Sequence, residues 1–316
     1  MRIGVILAGL LGLALALYVI FHVGFGAVIG GVAAVGWSGF VLLCLVSLAL
    51  FLVLGAAWFA LMPGARAMPF VWARMVRDAA GEVLPFSQFG GIAIGMRALI
   101  LNGMAGPDAA ASAIVDMTTE MMAQIVFILI GAALFAENSA QALPPGTLAG
   151  IVVVLAGSLA FVILQRRGFA LAEKLAQRFL PRIAERTRDF SERIQAIYES
   201  PGRLAVSSAL HLAGWIASAF ALWLSVRLIG RHIDFAGAVA IEAILSAIRS
   251  AAAFVPGALG VQEAGYAMMM PLFGLPPETG LAVSLLKRAR EIVVGGPVLL
   301  VWQGLEGRRA LASPEL

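Results

Sequence analysis

The chain has 316 residues, of which 61% are hydrophobic and 13% charged, with a mean hydropathy of +0.96 and a formal charge of +4. A soluble domain carries roughly twice that charged fraction, and one of this size could not hide so much apolar surface. Lipid is therefore the solvent for most of the chain, and the expected fold is all-α, a polytopic integral membrane protein. The pI of about 9.8 does not point to nucleic acid, because the basic residues sit between apolar spans and form no aromatic-interleaved patch.

The first apolar span, 3–23, is too long for a signal-peptide core and no small-residue cleavage site follows it, so it reads as a retained transmembrane helix. Further spans run over 38–62, 109–136, 147–165, 204–230 and 279–303. The lone cysteine, Cys44, falls inside the second, so no intrachain disulfide is possible. Two other stretches, 69–104 and 236–273, are apolar but broken, at Pro85–Gly91 and at Pro256–Gly260. Their halves of about 16–19 residues rise roughly 24–28 Å, which is marginal for a crossing. Gly and Pro at such breaks mark re-entrant or discontinuous helix pairs. A re-entrant pair and two full crossings return the chain to the same side, so orientation does not depend on which is present.

Orientation follows from the basic residues. The stretch 165–203 holds Arg166, Arg167, Lys174, Arg178, Arg182, Arg186, Arg188 and Arg193, whereas 24–37 and 137–146 hold no Lys or Arg. Cytoplasmic N- and C-termini put 63–68, 165–203 and 304–316 inside, with Arg231 the one violator outside. Within the long loop, Phe169, Leu175, Phe179, Ile183, Phe190, Ile194 and Ile197 recur near helical spacing, interrupted at Pro181. Two amphipathic helices on the inner membrane surface fit that pattern, as does a solvated connector.

The segments after the two breaks align without gaps. Gly90 falls on Gly260, Gly95 on Gly265, Pro107 on Pro277 and Asp108 on Glu278. By the charge rule the flanking spans 38–62 and 204–230 run in opposite directions. The expectation is one membrane domain, 1–316, built as an inverted-topology repeat. Its parts are a first helix and outer loop (1–37), repeat 1 (38–136), a linking helix (137–165), a cytoplasmic amphipathic linker (166–203), repeat 2 (204–303) and a cytoplasmic tail (304–316). Inverted repeats are a transporter architecture.

Charges inside spans cost about 2.5–3.5 kcal/mol each and need partners or water. Span 109–136 carries Asp116 and Glu120, one turn apart, and span 279–303 carries Lys287, Arg288, Arg290 and Glu291. Alignment sets Glu120 on Arg290 and Asp116 beside Lys287, so pairing across the two repeats is expected. The broken segments add Arg97, Glu242, Arg249 and Glu263. These groups either fix the packing of the repeats or line a hydrated cavity for a polar headgroup or for proton coupling. Arg97 and Arg249 are the candidate headgroup ligands, because a guanidinium fork matches phosphate oxygens. Gly26-x3-Gly30 and Gly91-x3-Gly95 suit close helix approach. The Met268–Met270 run suits lipid-facing or core packing. His22, His211 and His232 lack metal-ligand spacing, so no metal and no cofactor is expected. No nucleophile-and-base pair is visible, so the chain is not expected to be an enzyme and no catalytic residue is assigned.

The run Phe254-Val-Pro-Gly-Ala-Leu-Gly-Val-Gln-Glu263, then Gly274, then Leu285-Leu-Lys-Arg288, resembles the P-G-x-L-G-V-x-E…G…L-x-x-R signature of the flippase-like membrane family. That family includes the transmembrane region of lysylphosphatidylglycerol synthases. Leu84-Pro, Gly91, Arg97 and Asp116 resemble a degenerate first-half copy, so the likeness covers nearly the whole chain. The high Gly and Ala content is most similar to the branch associated with hopanoid biosynthesis. The resemblance implies a bacterial inner-membrane protein with two re-entrant pairs that moves a polar or amphipathic lipid, hopanoid-related or a phospholipid, between leaflets. It makes Pro256, Gly257, Gly260, Glu263 and Arg288 motif positions, while Gln262 replaces a residue charged in many members. The chain ends at Leu316 without a soluble aminoacyl-transferase domain, so lysine transfer to lipid is not expected of it alone. The alternative is a membrane-embedded, non-catalytic accessory subunit that holds lipid-biosynthesis enzymes through 165–203. Membrane lipids are the expected partners in either case.

Overall fold

The structure is a computed structural model that describes residues 25–83, 87–138, 181–252 and 255–312, with isolated positions between 152 and 160. The expected spans 3–23 and 147–165, and the first of the two amphipathic linker helices, lie outside the described residues. Every described element is helical, and no strand occurs among the described residues. In chain order the elements are α1 (Phe25–Phe59), α2 (Ala67–Val83), α3 (Ser87–Leu101), α4 (Gly106–Asn138), α5 (Pro181–Tyr198), α6 (Pro201–Leu228), α7 (Phe235–Ala251), α8 (Val261–Met269) and α9 (Pro277–Ala312). Single 3-10 turns at Pro256–Ala258 and Met270–Phe273 flank α8.

Among the described residues, three helices, over Ala33–Phe59, Gly106–Glu137 and Pro201–Leu228, are long and apolar enough to cross a bilayer. Helix α9 has 36 residues but gathers Lys287, Arg288, Arg290 and Glu291 in one turn and a half. Large apolar side chains face outward, and several charged side chains are buried beside the apolar core. Leu45, Leu52, Ile292 and Leu300 are 55–72% exposed, while Arg74, Asp116, Glu242 and Glu263 are buried. Such a distribution is stable only where the surroundings are lipid.

The outer loop expected over 24–37 is instead helical from Phe25 onward, with a kink at Gly36 (φ 64°, ψ 173°). Its glycines suggested a loop, but Phe25–Val35 contains no polar residue, and apolar helices in lipid tolerate Gly. The first break is also narrower than the window Pro85–Gly91, since α3 resumes at Ser87. Gly91 and Gly95 work as a close-approach pair, as their spacing suggested. A Cβ on Gly91 would come within 2.5 Å of the Arg77 carbonyl oxygen, and one on Gly95 within 2.9 Å of Arg77 Cβ. Helices α2 and α3 therefore pack antiparallel, as a hairpin 17 and 15 residues long. A second hairpin pairs α7 with the nine-residue α8, where a Cβ on Gly265 would meet Leu245. Pro181 begins α5 and does not interrupt it, as expected of Pro in a first turn. The Met268–Met270 run divides, with Met268 exposed and its two neighbours buried.

The two largest apolar clusters among the described residues each surround one hairpin. Trp58, Phe70, Val76, Leu99, Val115 and Trp302 pack around the first hairpin. Ile128, Leu222, Ile241, Ile244, Tyr266 and Met269 pack around the second. Ile194 and Ile197 turn α5 onto the first of these, and Arg193 pairs with Asp108. Helix α1 lies against α6, α4 against α6 and α7, and α9 against α1 and α2. The α1–α6 contact is antiparallel, since Gly39 meets Leu228 and Gly214 meets Leu54. So is α4–α7, where Gly131 meets Ala243 and Gln124 donates to Ser250 Oγ at 2.9 Å.

A methyl group at Gly91 has backbone on its far side, so overpacking there should cost about 1–3 kcal/mol. Thermal unfolding of the detergent-purified protein should show a lowered midpoint for Gly91→Ala. Gly296→Ala, whose Cβ would meet nothing within 4 Å, should melt with the wild type. Equal midpoints for all three would contradict the close packing of the first hairpin.

Candidate functional site

Three charged assemblies occupy the interior. The first joins α2, α4 and α6. Arg74 and Arg77 stand three residues apart on one face of α2, opposite Asp116 and Glu120 of α4. Arg74 donates to both Glu120 oxygens at 2.6 and 3.0 Å, and its Nε donates to Asp78 at 2.9 Å. Arg77 divides its terminal nitrogens between Asp116 and Glu120, each at 2.7 Å. From α6, His211 Nε2 lies 2.9 Å from Asp116 Oδ1, and both residues are fully buried.

The second assembly joins α6, α7, α8 and α9. Glu242 of α7 accepts from Lys287 Nζ at 2.9 Å, from Ser218 Oγ at 2.7 Å and from Tyr266 OH at 2.6 Å. The pairing of Asp116 and Glu120 with bases of 279–303 is thus corrected. Acids of α4 take bases from α2, and Lys287 of α9 takes an acid from α7. The reason is side-chain reach: the long guanidiniums of Arg74 and Arg77 span from α2 to the carboxylates of α4, and Lys287 spans from α9 to Glu242 of α7, although α4 itself packs on α7 and α9 on α2. The matched heights and opposite signs seen in the alignment describe two separate bridges.

The third assembly is built on the second break. Gly257 and Gly260 hold φ of 55° and 76°, in the left-handed region where a side chain is disfavoured. The Glu263 carboxylate caps the following helix by accepting from Gly260 N–H at 2.8 Å. It also accepts from Arg288 Nε at 2.5 Å and from Ser284 Oγ at 3.0 Å. Arg288 completes the loop by donating to the carbonyls of Gly257 and Ala258 at 3.1 and 3.4 Å. Glu263, expected at a substrate site, and Arg288, expected in the intramembrane charge network, both hold the broken helix. They position the loop and leave no free donor fork. Pro256 opens its 3-10 turn.

The ends of the two hairpins meet beside this loop. A Cβ on Gly257 would lie 3.1 Å from the Glu82 carbonyl oxygen. Arg249, in the last turn of α7, donates to Glu82 Oε1 at 3.3 Å, with the two side chains 26% and 34% exposed. Glu291 is an electrostatic neighbour of Glu82, Arg249 and Arg290. Among the described residues, Arg290 and Glu291 form no ion pair. This junction holds charges of both signs that are loosely paired and partly open, unlike the closed assemblies on either side.

Arg97 does not join it. It is half exposed and pairs with Glu306 at 2.8 Å. Glu306 stands fifteen residues beyond Glu291, about 22 Å along the helix axis. Beside that pair, Trp72, Leu101, Asn102, Trp302 and Leu305 line an open groove of about 390 Å³. Of the two expected headgroup ligands only Arg249 reaches the junction. The sequence reading missed Arg74, Arg77, Glu82, His211, Tyr266 and Ser284. The signal for the first three was present, since Arg74, Arg77, Asp78 and Glu82 recur every three to four residues and share a helix face.

Removing one member of a closed bridge should strand its partner, at a cost of about 3–5 kcal/mol. Lys287→Met should therefore destabilise the protein strongly in a denaturant titration. The double variant Lys287→Met with Glu242→Gln should recover most of the loss. The swap Glu120→Arg with Arg290→Glu should rescue nothing, because those side chains do not meet. Rescue by that swap would overturn the same-half bridging.

Comparison with known proteins bears on all of these residues together. No curated protein and no solved structure matches the chain. A family model described as the lysylphosphatidylglycerol synthase TM region matches residues 3–297, which takes in both hairpins, the three charged assemblies and the Pro256–Arg288 motif. The chain belongs to the lysylphosphatidylglycerol synthase TM region family, multi-pass membrane proteins tied to lipid metabolism.

Proposed function

We propose that this protein is a lipid transporter of the flippase type, and that the junction of the two hairpins is where the polar headgroup passes. The observation that carries this reading is the Arg249–Glu82 contact, long at 3.3 Å and partly open, beside the unpaired Arg290 and Glu291. A headgroup carrying phosphate could replace such a carboxylate partner, while its hydrocarbon chains stay in the bilayer. That route avoids most of the cost of taking a charged group through hydrocarbon.

The same reading takes the fold as an inverted-topology repeat. Two observations support it. Exchanging α1 with α6, α2 with α7 and α4 with α9 carries the helix contacts onto one another. The mates α1 and α6 run antiparallel. The short arms support re-entrant hairpins, since α3 rises about 22 Å and α8 about 14 Å, less than a hydrocarbon core of about 30 Å. Hairpins entering from opposite faces would bring Glu82 and Arg249 together inside the membrane. The basic stretches favour a bacterial inner membrane with both termini cytoplasmic. Neither hopanoid lipids nor phospholipids are singled out by the junction.

In proteoliposomes of native lipid composition, the protein should speed leaflet exchange of a labelled lipid. Arg249→Ala should slow exchange by about tenfold or more, as removal of a charged ligand does. Gly260→Leu should do the same through the strained loop. Wild-type exchange no faster than that of empty vesicles would favour the accessory role instead. A second test concerns orientation. In a Cys44→Ser background, Ala196→Cys should resist an impermeant thiol reagent in intact cells, and His232→Cys should label, both positions being exposed. Labelling of Ala196→Cys from outside would reverse the topology.

A further inference from the structure

The assembly joining α2, α4 and α6 is not used by the lipid path, and its charges do not balance. It holds two guanidiniums, Arg74 and Arg77, and three carboxylates, Asp78, Asp116 and Glu120. The sum is one negative charge, in a setting where an uncompensated charge is expensive. Among the described residues, His211 is the one further titratable group in hydrogen-bond contact with it. We propose that His211 is a proton-binding site, and that its protonation couples movement of the two halves of the protein to a proton gradient.

Geometry fixes where the proton goes. Asp116 is engaged by Arg77 at 2.7 Å and offers His211 only an acceptor, so Nε2 carries hydrogen and donates at 2.9 Å. Nδ1 is then the vacant lone pair, and it is buried with no hydrogen-bond partner among the described residues. A proton taken from water onto Nδ1 makes an imidazolium and brings the assembly to neutrality, and no other bond forms or breaks. The groups facing His211 favour this. Helix α4 presents Asp116 and Glu120, and α2 presents Arg77 and Arg74 behind them. Helix α1 brings no charged side chain, only the Cys44 thiol, which lies near Arg290. Helices α7 and α9 bring Glu242 and Lys287, which pair with each other at Ser218, about two turns along α6. The nearest basic residue of α5, Arg193, is paired with Asp108.

Coupling follows from burial. His211 is 0% exposed, so a proton reaches or leaves Nδ1 only when the joint between α4 and α6 opens. Protonation then favours the closed joint, which the neutral assembly stabilises, and deprotonation favours opening. Thr119 and Ser207, bonded at 2.9 Å across the same joint, would part in the open state. The proton site stands apart from the transport reading, whereas the coupling rests on it.

Nitrogen-15 spectra of the histidine-labelled, full-length protein in detergent read the site directly. The signals of His22 and His232 can be assigned by their Gln variants, leaving His211 unaltered. Across pH 5–8, where imidazole charge changes are read, His211 should pass from the neutral Nε2–H tautomer to imidazolium. Asp116→Asn should hold it neutral to lower pH. A ring that stays neutral, or stays cationic, throughout that range overturns the proton site. In proteoliposomes, a gradient of one pH unit should drive a labelled lipid toward one leaflet by up to about tenfold per coupled proton. Equal leaflet distributions with exchange intact overturn the coupling alone. Absence of all exchange overturns the transport reading and the coupling with it, while the spectra still decide the proton site.

Discussion

The contact on which the rest of this structure depends is the clamp of Arg288 on Glu263 and the loop before it. A helix broken inside a membrane exposes carbonyls and amides that lipid cannot satisfy, each worth several kcal/mol if left unpaired. Here the freed carbonyls of Gly257 and Ala258 accept from Arg288, and the freed amide of Gly260 donates to Glu263. One ion pair thus satisfies carbonyls and an amide of the loop before α8 and ties that loop to α9. The positive φ of Gly257 and Gly260 makes the turn tight enough for a single guanidinium to span it.

That clamp makes the glycines, acid and base of the Pro256–Arg288 run the framework of the loop. What the framework presents is the end of the second hairpin against Glu82 at the end of the first. There, among the described residues, opposite charges are held loosely, at 3.3 Å and partly open. Elsewhere the buried charges are closed, with Arg74, Arg77, Glu242 and Lys287 each making two or more contacts under about 3 Å or to a shared partner.

The two halves use the same device with the signs exchanged. In the first, a long helix carries acids and its hairpin carries arginines; in the second, the long helix carries the bases and its hairpin the acids. Opposite signs let each bridge close on its own partner even though α4 packs against α7 and α9 against α2. Specificity of this kind is a recognised use of buried charge where stability alone would favour apolar packing. Titratable groups also meet across the halves: His211 reaches from α6 to the first bridge, and Arg249 reaches Glu82.

Composition alone determined that the chain lies in lipid, because no arrangement of a protein this apolar can shield itself from water. Local sequence likewise determined the helices and the breaks, since Pro and Gly act on their own backbone. The close approach of Gly91 and Gly95 was legible for the same reason. The partners of the charges were not legible. Asp116 and Glu120 align with bases of α9, yet they meet Arg74 and Arg77, whose long side chains reach across from α2. Arg97 and Arg249 sit at similar distances from a break, yet one faces Glu306 and the other Glu82. Sequence spacing fixes which residues share a face of one helix. Which helix that face meets is decided only when the hairpins dock, and docking is set by apolar packing among distant segments that carries no local signal.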